Sequence, residues 1–566
     1  MSGKLASLNS IIDDLTPLIE GEVSSTEAAI AAVSHDFGGM IERRPQVVVR
    51  PQRSEDVAQA VKYAASHNLT ISSRAAGHSC SGQALNQDGI LLDMRSFNQI
   101  RDFQPEALSF TVDAGATWRK IVDTVLPQKV VPPVLTNNFD VTIGGTCSAG
   151  GLGQNSYRYG SQADNCLAVE VVTAAGDILW CTPEENSELF HHILCGYGQF
   201  GIMTQVKHRL RRYKPYTRTY FLRYDDLESL LRDEHLLISE DRVDGLLTLF
   251  SPCVLGALRA GGPGIKPLLQ WFHRMQVTVE TDSPDDMDDN ALLADLGFAH
   301  HLHTEDLTLE QFIQPFAEVP HPKGEANPWL DVFLPASVAQ QFIETALERV
   351  PSFVDFRKTP FGSFCLNAKN TQMPMFALPK AELIVGFGMY PTIPKPRLEY
   401  VAQQLNSLTE LAFEFGAKRY MGSWLALDQN GWRRQFGDYW PTINKLKQKY
   451  DPQGILSPGF FPYEAGVLPT NGVSRPQPED VKIQLEKYVM PPSLTSGQSS
   501  QVVPSLAAPP QIAASSQKAG ESSRPQSRSM GRAIAVIAGL LLLALLLSKT
   551  SLLGQIDSLL SQVGSL

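Results

Sequence analysis

The chain is poor in cysteine for its length, with seven among 566 residues, at positions 80, 147, 166, 181, 195, 253 and 365. No Cys-x-x-Cys spacing occurs, which excludes a zinc ribbon and a secreted disulfide framework and favours a reducing compartment; no metal site is expected. Positive charge is not in excess either. Forty-eight Lys and Arg stand against 59 Asp and Glu, for a net charge of −11. That balance offers no broad basic surface, so nucleic acid is a poor partner. The start, Met1-Ser2-Gly3-Lys4-Leu5, lacks a continuous apolar stretch, so no secretory signal is expected. No Gly-x-Gly-x-x-Gly run leads into a helix, which removes support for a Rossmann dinucleotide fold. What is present is an ordinary globular composition, 43% hydrophobic and 19% charged, in a chain too long for one compact domain.

The most informative stretch runs Ser73-Arg74-Ala75-Ala76-Gly77-His78-Ser79-Cys80-Ser81-Gly82-Gln83-Ala84, between the apolar runs Leu69–Ile71 and Ile90–Met94. A small-residue loop between two candidate strands leaves its amides free to point at an anion. Small side chains also let the backbone approach closely, as a pyrophosphate requires. A neutral imidazole at His78 has the chemistry to attack the 8α-methyl of an isoalloxazine, so the segment suits a flavin nucleotide. A hairpin carrying His78 as a plain polar loop residue is the competing reading. A second small-residue run, Gly144-Gly145-Thr146-Cys147-Ser148-Ala149-Gly150-Gly151-Leu152-Gly153, reads either as close-approach backbone or as a tight structural turn.

Leu5, Leu8, Ile11, Ile12, Leu15, Leu18 and Ile19 recur at helical spacing, so the segment before residue 35 is expected to form an amphipathic helix packed on the body. Val47-Val48-Val49 reads as a strand. Ser54 opens a helix whose Glu55 and Asp56 suit the N-terminal dipole and whose Val57, Val61, Ala64 and Ala65 share one face. From about Arg212 the texture changes to alternating apolar and charged residues without further glycine loops, the mark of a second, substrate-binding domain. Beyond Tyr488 the composition turns Pro, Ser, Gln and Ala-rich, too poor in core-forming residues to fold, and a disordered linker is expected. Met530 to Ser548 then carries Arg532 as its only charge. As a helix those residues span roughly 28 Å, just enough for a hydrocarbon core. Arg524, Arg528 and Arg532 precede the uninterrupted apolar stretch 533–547 while Lys549 and Asp557 follow it, which places the body on the cytoplasmic side of a single-pass C-terminal anchor.

Four blocks, read together, resemble the covalent-flavin family of the vanillyl-alcohol oxidase type, and the cytokinin dehydrogenases within it most closely. They are Gly77-His78-Ser79 with Gly82-Gln83-Ala84 and Asp93-Met94-Arg95-Ser96; Thr142-Ile143-Gly144-Gly145-Thr146; Glu170-Val171-Val172-Thr173 with Gly198-Gln199-Phe200-Gly201-Ile202; and Tyr450-Asp451-Pro452 with Leu456-Ser457-Pro458-Gly459. The resemblance covers roughly residues 35–465. It implies an α+β fold: a FAD-binding PCMH-type domain in two parts, 35–212 and 436–488, around an inserted α+β substrate domain, 213–435. A helical region, 1–34, precedes them, and a linker, 489–529, and a transmembrane anchor, 530–549, follow.

The resemblance also implies FAD, held covalently through His78, with contacts from Arg74, Ala75, Ala76, Gly77, Ser79 and Gln83. Further contacts are implied at Thr142, Gly144, Gly145, Ser148 and Gly151, and at Gly198, Gly201, Ile202 and Phe460. The cysteine of the doubly tethered branch is replaced by Asn138, which leaves a single tether. The Asn-Pro-Trp-Leu segment at 327–330 resembles the strand whose tryptophan lines the substrate cavity, and so offers Trp329. The tyrosine near the flavin aligns with Trp424, and the glutamine of Ser-Pro-Gly-Gln with Phe460. The aspartate that takes the substrate's proton in cytokinin dehydrogenases is Asn137, and an amide cannot accept that proton at physiological pH. Asp140 is the nearest carboxylate and the second candidate, but three residues along an extended chain reverse a side chain's direction. The expectation is therefore a FAD-dependent oxidoreductase that moves hydride from a small organic molecule to flavin N5, with cytokinin as substrate not implied and either dioxygen or a quinone as acceptor. A sugar, aldonolactone or alcohol oxidase of the same superfamily and a membrane-tethered flavin-binding module without turnover are the alternatives.

Overall fold

In a computed structural model of the chain, the structure describes residues 8–258, 265–314, 324–350, 353–355 and 359–469. The expected linker and anchor lie outside the described residues. Among the described residues no helix is long and apolar enough to cross a membrane.

The N-terminal helix α1 (Leu8–Leu15) buries Ile11 and Leu15, and Ile19 follows them into the same apolar cluster. That cluster lies between α2 (Ser54–His67) and a four-stranded sheet. The sheet holds β1 (Glu22–Ser24), β2 (Val47–Arg50), β3 (Ile71–Arg74) and β4 (Ile90–Asp93) in the order β1-β2-β4-β3. Asp56, in the first turn of α2 and fully buried, accepts the backbone N–H groups of Glu20, Gly21 and Gln52, so one carboxylate fastens the entering chain to the helix. Strands β3 and β4 pair in parallel, Ile71 opposite Ile90 through Arg74 opposite Asp93. Parallel neighbours cannot be joined as a hairpin. The loop between them is therefore a crossover at the C-terminal end of β3, and the hairpin reading of residues 73–84 is excluded.

A second sheet is wholly antiparallel: β5 (Ile100–Gln104), β6 (Ser109–Asp113), β7 (Cys166–Val172), β8 (Ile178–Cys181) and β9 (Ile202–Arg209), ordered β5-β6-β9-β7-β8. The short helix α3 (Ile143–Ala149) carries the second glycine pair and buries Ile143, Gly144 and Cys147. Glu170 of β7 is buried and accepts from Ser54 Oγ, from Thr204 Oγ1 at 2.8 Å and from Gln205 Nε2 at 3.1 Å, which ties α2 to this sheet.

The third sheet forms the second half of the body. It comprises β10 (Tyr216–Tyr224), β11 (Gly245–Leu258), β12 (Ile265–Thr281), β13 (His300–Thr308), β14 (Leu330–Pro335), β15 (Phe361–Asn367), β16 (Leu383–Met389) and β17 (Lys418–Arg419). Their order is β13-β10-β12-β11-β15-β16-β14-β17. Helices α4 (Leu227–Ser239), α5 (Ala336–Arg349) and α6 (Leu398–Glu414) share one core cluster with strand residues such as Leu330, Val332 and Leu334. After β17 the chain returns to the first half through α7 (Trp440–Tyr450). There Ile71 donates to Ile455 O at 2.8 Å and Ser457 to Ile71 O at 2.9 Å, adding a bridge beside β3. A buried ion pair locks that return: Lys447 Nζ lies 2.8 Å from Asp451 Oδ2, and Asp451 also accepts the N–H groups of Ile455 and Leu456.

Candidate active site

The crossover loop after β3, the segment around α3, the turn before β9 and one face of the eight-stranded sheet enclose a cavity of about 700 Å³. The loop supplies Arg74 through Ser79 and Gln83. Gly77 sits at φ +70°, and a Cβ there would fall 2.3 Å from Arg74 Nη2, so only glycine lets the guanidinium fold back over the turn. Arg74 donates to His35 O at 3.1 Å and to Ala75 O at 3.3 Å. Burial pushes its pKa down. Arg74 Nε and Ser79 Oγ are buried with no hydrogen-bond partner among the described residues, two polar groups on the cavity wall that an anionic ligand would satisfy. His78 lines the same wall, its ring 4.1 Å from Phe37 and 5.5 Å from Trp329 between centroids.

Thr142, Gly144, Gly145, Ser148 and Gly151 continue this wall, and Gly198 and Gly201 close it. The residues present fit FAD: small-residue backbone from three segments, a cationic nitrogen and a hydroxyl without partners among the described residues, and a histidine line the same volume. Asn137 is an exposed member of the lining, with Thr136 and Asn138 beside it.

The opposing chemistry comes from β14 and its neighbours. Along this strand the pleat sends Leu330, Val332 and Leu334 into the helix-covered core, while Trp329, Asp331 and Phe333 line the cavity. Leu247 and Leu249 of β11, Phe361 and Ser363 of β15, Tyr390 after β16, and Tyr420 and Ser423 after β17 complete it. Trp329 Nε1 and Ser363 Oγ are buried with no hydrogen-bond partner among the described residues, so this wall also holds polar atoms for a ligand to satisfy. Asp331 is the one carboxylate among the described lining residues. Its side chain accepts from Ser423 Oγ and from Tyr390 Oη at 2.7 Å. Burial raises its pKa above the usual carboxylate range, offset in part by those two hydrogen bonds and by the Arg419 guanidinium.

Four residues named from the sequence do not face this cavity. Asp140 lies in the turn at 139–140, outside the cavity lining, and pairs with Arg119, whose Nε lies 2.8 Å from its Oδ1, so its carboxylate is engaged there and not in the cavity. Ile202 begins β9 and is buried in the cluster beneath α2. Phe460 joins an aromatic cluster, its ring 5.3 Å from Tyr197 and 5.4 Å from Trp432. Trp424 is fully buried in the core of the sheet-and-helix half, and Tyr420, four residues earlier, lines the cavity instead. Asp331, Ser363, Tyr390 and Tyr420 were not anticipated. The period-2 pattern of Trp329-Leu330-Asp331-Val332-Phe333 was the signal that could have found Asp331, because it puts the carboxylate on the face of Trp329.

Comparison with known proteins agrees with this arrangement. The FAD binding domain family matches residues 45–182, and the family described as cytokinin dehydrogenase 1, FAD and cytokinin binding, matches residues 279–461. An uncharacterized oxidoreductase, ORF5 in the fasciation locus of Rhodococcoides fascians, is 30% identical over 440 residues, covering 76% of this chain and 96% of its own. Cytokinin dehydrogenase 7 of Oryza sativa subsp. japonica is 28% identical, over 76% of this chain and 89% of its own. In fold, the chain is similar to 6-hydroxy-D-nicotine oxidase of Arthrobacter nicotinovorans, with a TM-score of 0.59 at 21% identity over 77% of this chain and 96% of that one. FAD is thus the cofactor and the chain an oxidoreductase, and it belongs to the PCMH-type (vanillyl-alcohol oxidase) family of FAD-dependent oxidoreductases, among the relatives of the cytokinin dehydrogenases.

Proposed function

We propose that the protein oxidises a small amine or alcohol by transferring hydride to FAD tethered through His78, and that residues 530–549 anchor it to a membrane with the catalytic body on the cytoplasmic side. The observation that carries the catalytic part is the shared volume: the flavin-side backbone of residues 74–79 and 142–151 and the side chains of Trp329, Asp331, Tyr390 and Tyr420 line one cavity. Bound FAD supplies a two-electron, hydride-accepting centre. The chain's own residues do the rest. Gly144, Gly145 and Gly198 admit the cofactor by presenting backbone without side chains, and Arg74 and Ser79 offer donors to its charged end. Trp329 and Phe333 present apolar surface that excludes water from the reacting carbon, while Trp329 Nε1 and Ser363 Oγ are free to orient a polar group of the substrate. The anchor is supported by the apolar run of 530–548 and by the arginines that precede it.

Anaerobic mixing of the FAD-loaded protein with a panel of secondary amines, alcohols, sugars and aldonolactones tests the reading. Bleaching of the flavin by an amine or alcohol is the expected outcome. Reduction by sugars or lactones alone would move the substrate class to that branch, and an unbleached flavin throughout would favour a binding module over an enzyme.

A further inference from the structure

We propose that Asp331 is the proton acceptor of the reaction, standing on the substrate sheet in place of the carboxylate that is missing at position 137. The assignment rests on the oxidation proposed above and adds the group that makes it chemically complete. Removing hydride from a carbon next to nitrogen or oxygen leaves a proton on that heteroatom, and a base in the cavity must take it. Asn137 cannot, and Asp140 is turned away on Arg119. Asp331 lines the cavity beside Trp329 and Phe333 on the same face of β14.

Its surroundings hold one carboxylate geometry. Oδ1 accepts from Tyr390 Oη and Oδ2 from Ser423 Oγ, which uses two of about four lone-pair positions and leaves acceptor capacity for a substrate N–H or O–H. The strand is fixed from behind, since Arg419, fully buried, donates from Nε to the Asp331 carbonyl at 2.9 Å, and Tyr420 N–H donates to the same oxygen at 3.2 Å. Across the sheet Asp331 pairs with Gly388. A Cβ at Gly388 would fall 2.0 Å from Tyr390 Oη and 2.8 Å from Asp331 Oδ1, so the missing side chain is what lets the phenol reach the carboxylate. The titratable and charged groups around Asp331 are Arg419, Tyr390, Tyr420 and the buried Cys80 thiol, with His78 lining the same cavity. Of these, Arg419 alone carries fixed charge, and it favours the ionised carboxylate. Burial opposes it, and a carboxylate held above its usual range is the stronger base.

The step balances within the proposed reaction. The substrate's X–H bond, with X nitrogen or oxygen, breaks with its electron pair left on X and the proton on Asp331. The adjacent C–H bond breaks with hydride passing to FAD, and a C=X double bond forms. The substrate is oxidised by two electrons and FAD reduced by two, to be reoxidised by dioxygen or a quinone.

The test uses the full-length FAD-loaded protein and its variants Asp331→Asn and Tyr390→Phe. Flavin reduction by the fastest member of the panel is followed anaerobically across pH. Asp331→Asn should keep its flavin, slow reduction by about 100- to 10,000-fold and lose the acidic limb of the rate profile. Tyr390→Phe removes a hydrogen bond to the charged form, so its acidic limb should move to higher pH. An independent readout needs no turnover: the absorbance of the oxidised flavin should titrate with a midpoint above the ordinary carboxylate range in the wild type and lose that transition in Asp331→Asn. Asp331→Asn reducing at the wild-type rate, or an unshifted limb in Tyr390→Phe, overturns Asp331 as base while leaving the oxidoreductase reading intact. A wild-type flavin that no compound reduces overturns the proposed oxidation and the base with it, and identical spectral titrations in wild type and Asp331→Asn overturn an ionising Asp331 beside the flavin.

Discussion

Helix α4 contains a carboxylate where its pattern calls for a hydrocarbon, and the consequence for stability can be worked out. Leu227, Leu230, Glu234, Leu237 and Ile238 form the buried stripe of α4, and among the described residues no N–H or O–H donor reaches the Glu234 carboxyl, only the Cys365 thiol. Burial raises its pKa from 4.5 to about 7, with the Cys365 thiol offsetting part of the cost. A folded-state pKa above the unfolded value means that the folded protein binds more protons, so stability is full below the unfolded pKa and is lost as pH rises towards about 7. The full penalty is about 3 kcal/mol, of which about 2.5 kcal/mol accrues between about pH 5 and about pH 8. Glu234→Gln and Glu234→Leu remove that dependence, and Glu234→Leu also completes the stripe. Thermal unfolding of wild type and variants at the two pH values reads the difference, since every other titrating group cancels. The Tm gap should widen by about 2–3 °C from the lower pH to the higher for a body of this size. A gap of the same size at both would show that Glu234 does not titrate in the folded protein and refute the argument.

Three further outcomes are expected. Acid-precipitated wild-type protein should retain flavin fluorescence in the pellet while His78→Ala releases it, whereas release from the wild type would remove the covalent bond without removing FAD binding. Lys447→Met leaves Asp451 buried without its cation and should destabilise the body by about 3–5 kcal/mol in denaturant titration, with weakened flavin retention because residues 455–457 bridge to β3; a loss under about 1 kcal/mol would contradict the role given to that pair. The full chain should pellet with membranes and resist carbonate extraction while a chain ending near Tyr488 stays in solution with its flavin, and a full chain found soluble without detergent would end the anchor proposal.

The backbone wall of the cavity could be picked out in the sequence because its residue requirement is local. A pyrophosphate-sized ligand needs a run of small residues, and Arg74–Ala84 and Gly144–Gly153 stand out within about ten positions each, although a turn has the same composition and only the four blocks read together favour the flavin. Amphipathic spacing likewise placed α1 and α2. The substrate side was not legible because it depends on pairing over long separations: β14 meets β16 and β17, whose paired residues lie about fifty to ninety positions further along, and nothing local fixes which strands become neighbours. The burial of Trp424 has the same origin. Tyr420 and Trp424 lie in one short stretch, and only the pairing of Lys418–Arg419 with β14 decides that the tyrosine lines the cavity while the tryptophan enters the core. Phe460 lies off the cavity for a complementary reason: it packs in a cluster with Tyr197, Trp432, Trp440, Phe461 and Tyr463, drawn from distant parts of the chain.

A proton acceptor on the substrate sheet is useful only if its distance to the flavin is as well fixed as that of a group on the flavin side, and the hydrogen bonds provide this. Ser81, in the flavin loop, donates from Oγ to the Ser423 carbonyl at 3.1 Å and accepts the Leu425 N–H at 2.8 Å. Gln83 of the same loop donates to Met421 O at 2.7 Å. Ser423 in turn donates its hydroxyl to Asp331, and Arg419 holds the Asp331 carbonyl and the Trp424 carbonyl together. The path from flavin loop to carboxylate therefore runs Ser81, Ser423, Asp331, through two hydrogen bonds between buried groups. Buried hydrogen bonds are costly to leave unmade, so the two halves cannot separate at this point without losing all of them together. The residues 420–425 are then more than the return of the chain. They are the coupling by which a base on the substrate sheet is held in register with a cofactor bound by the other half.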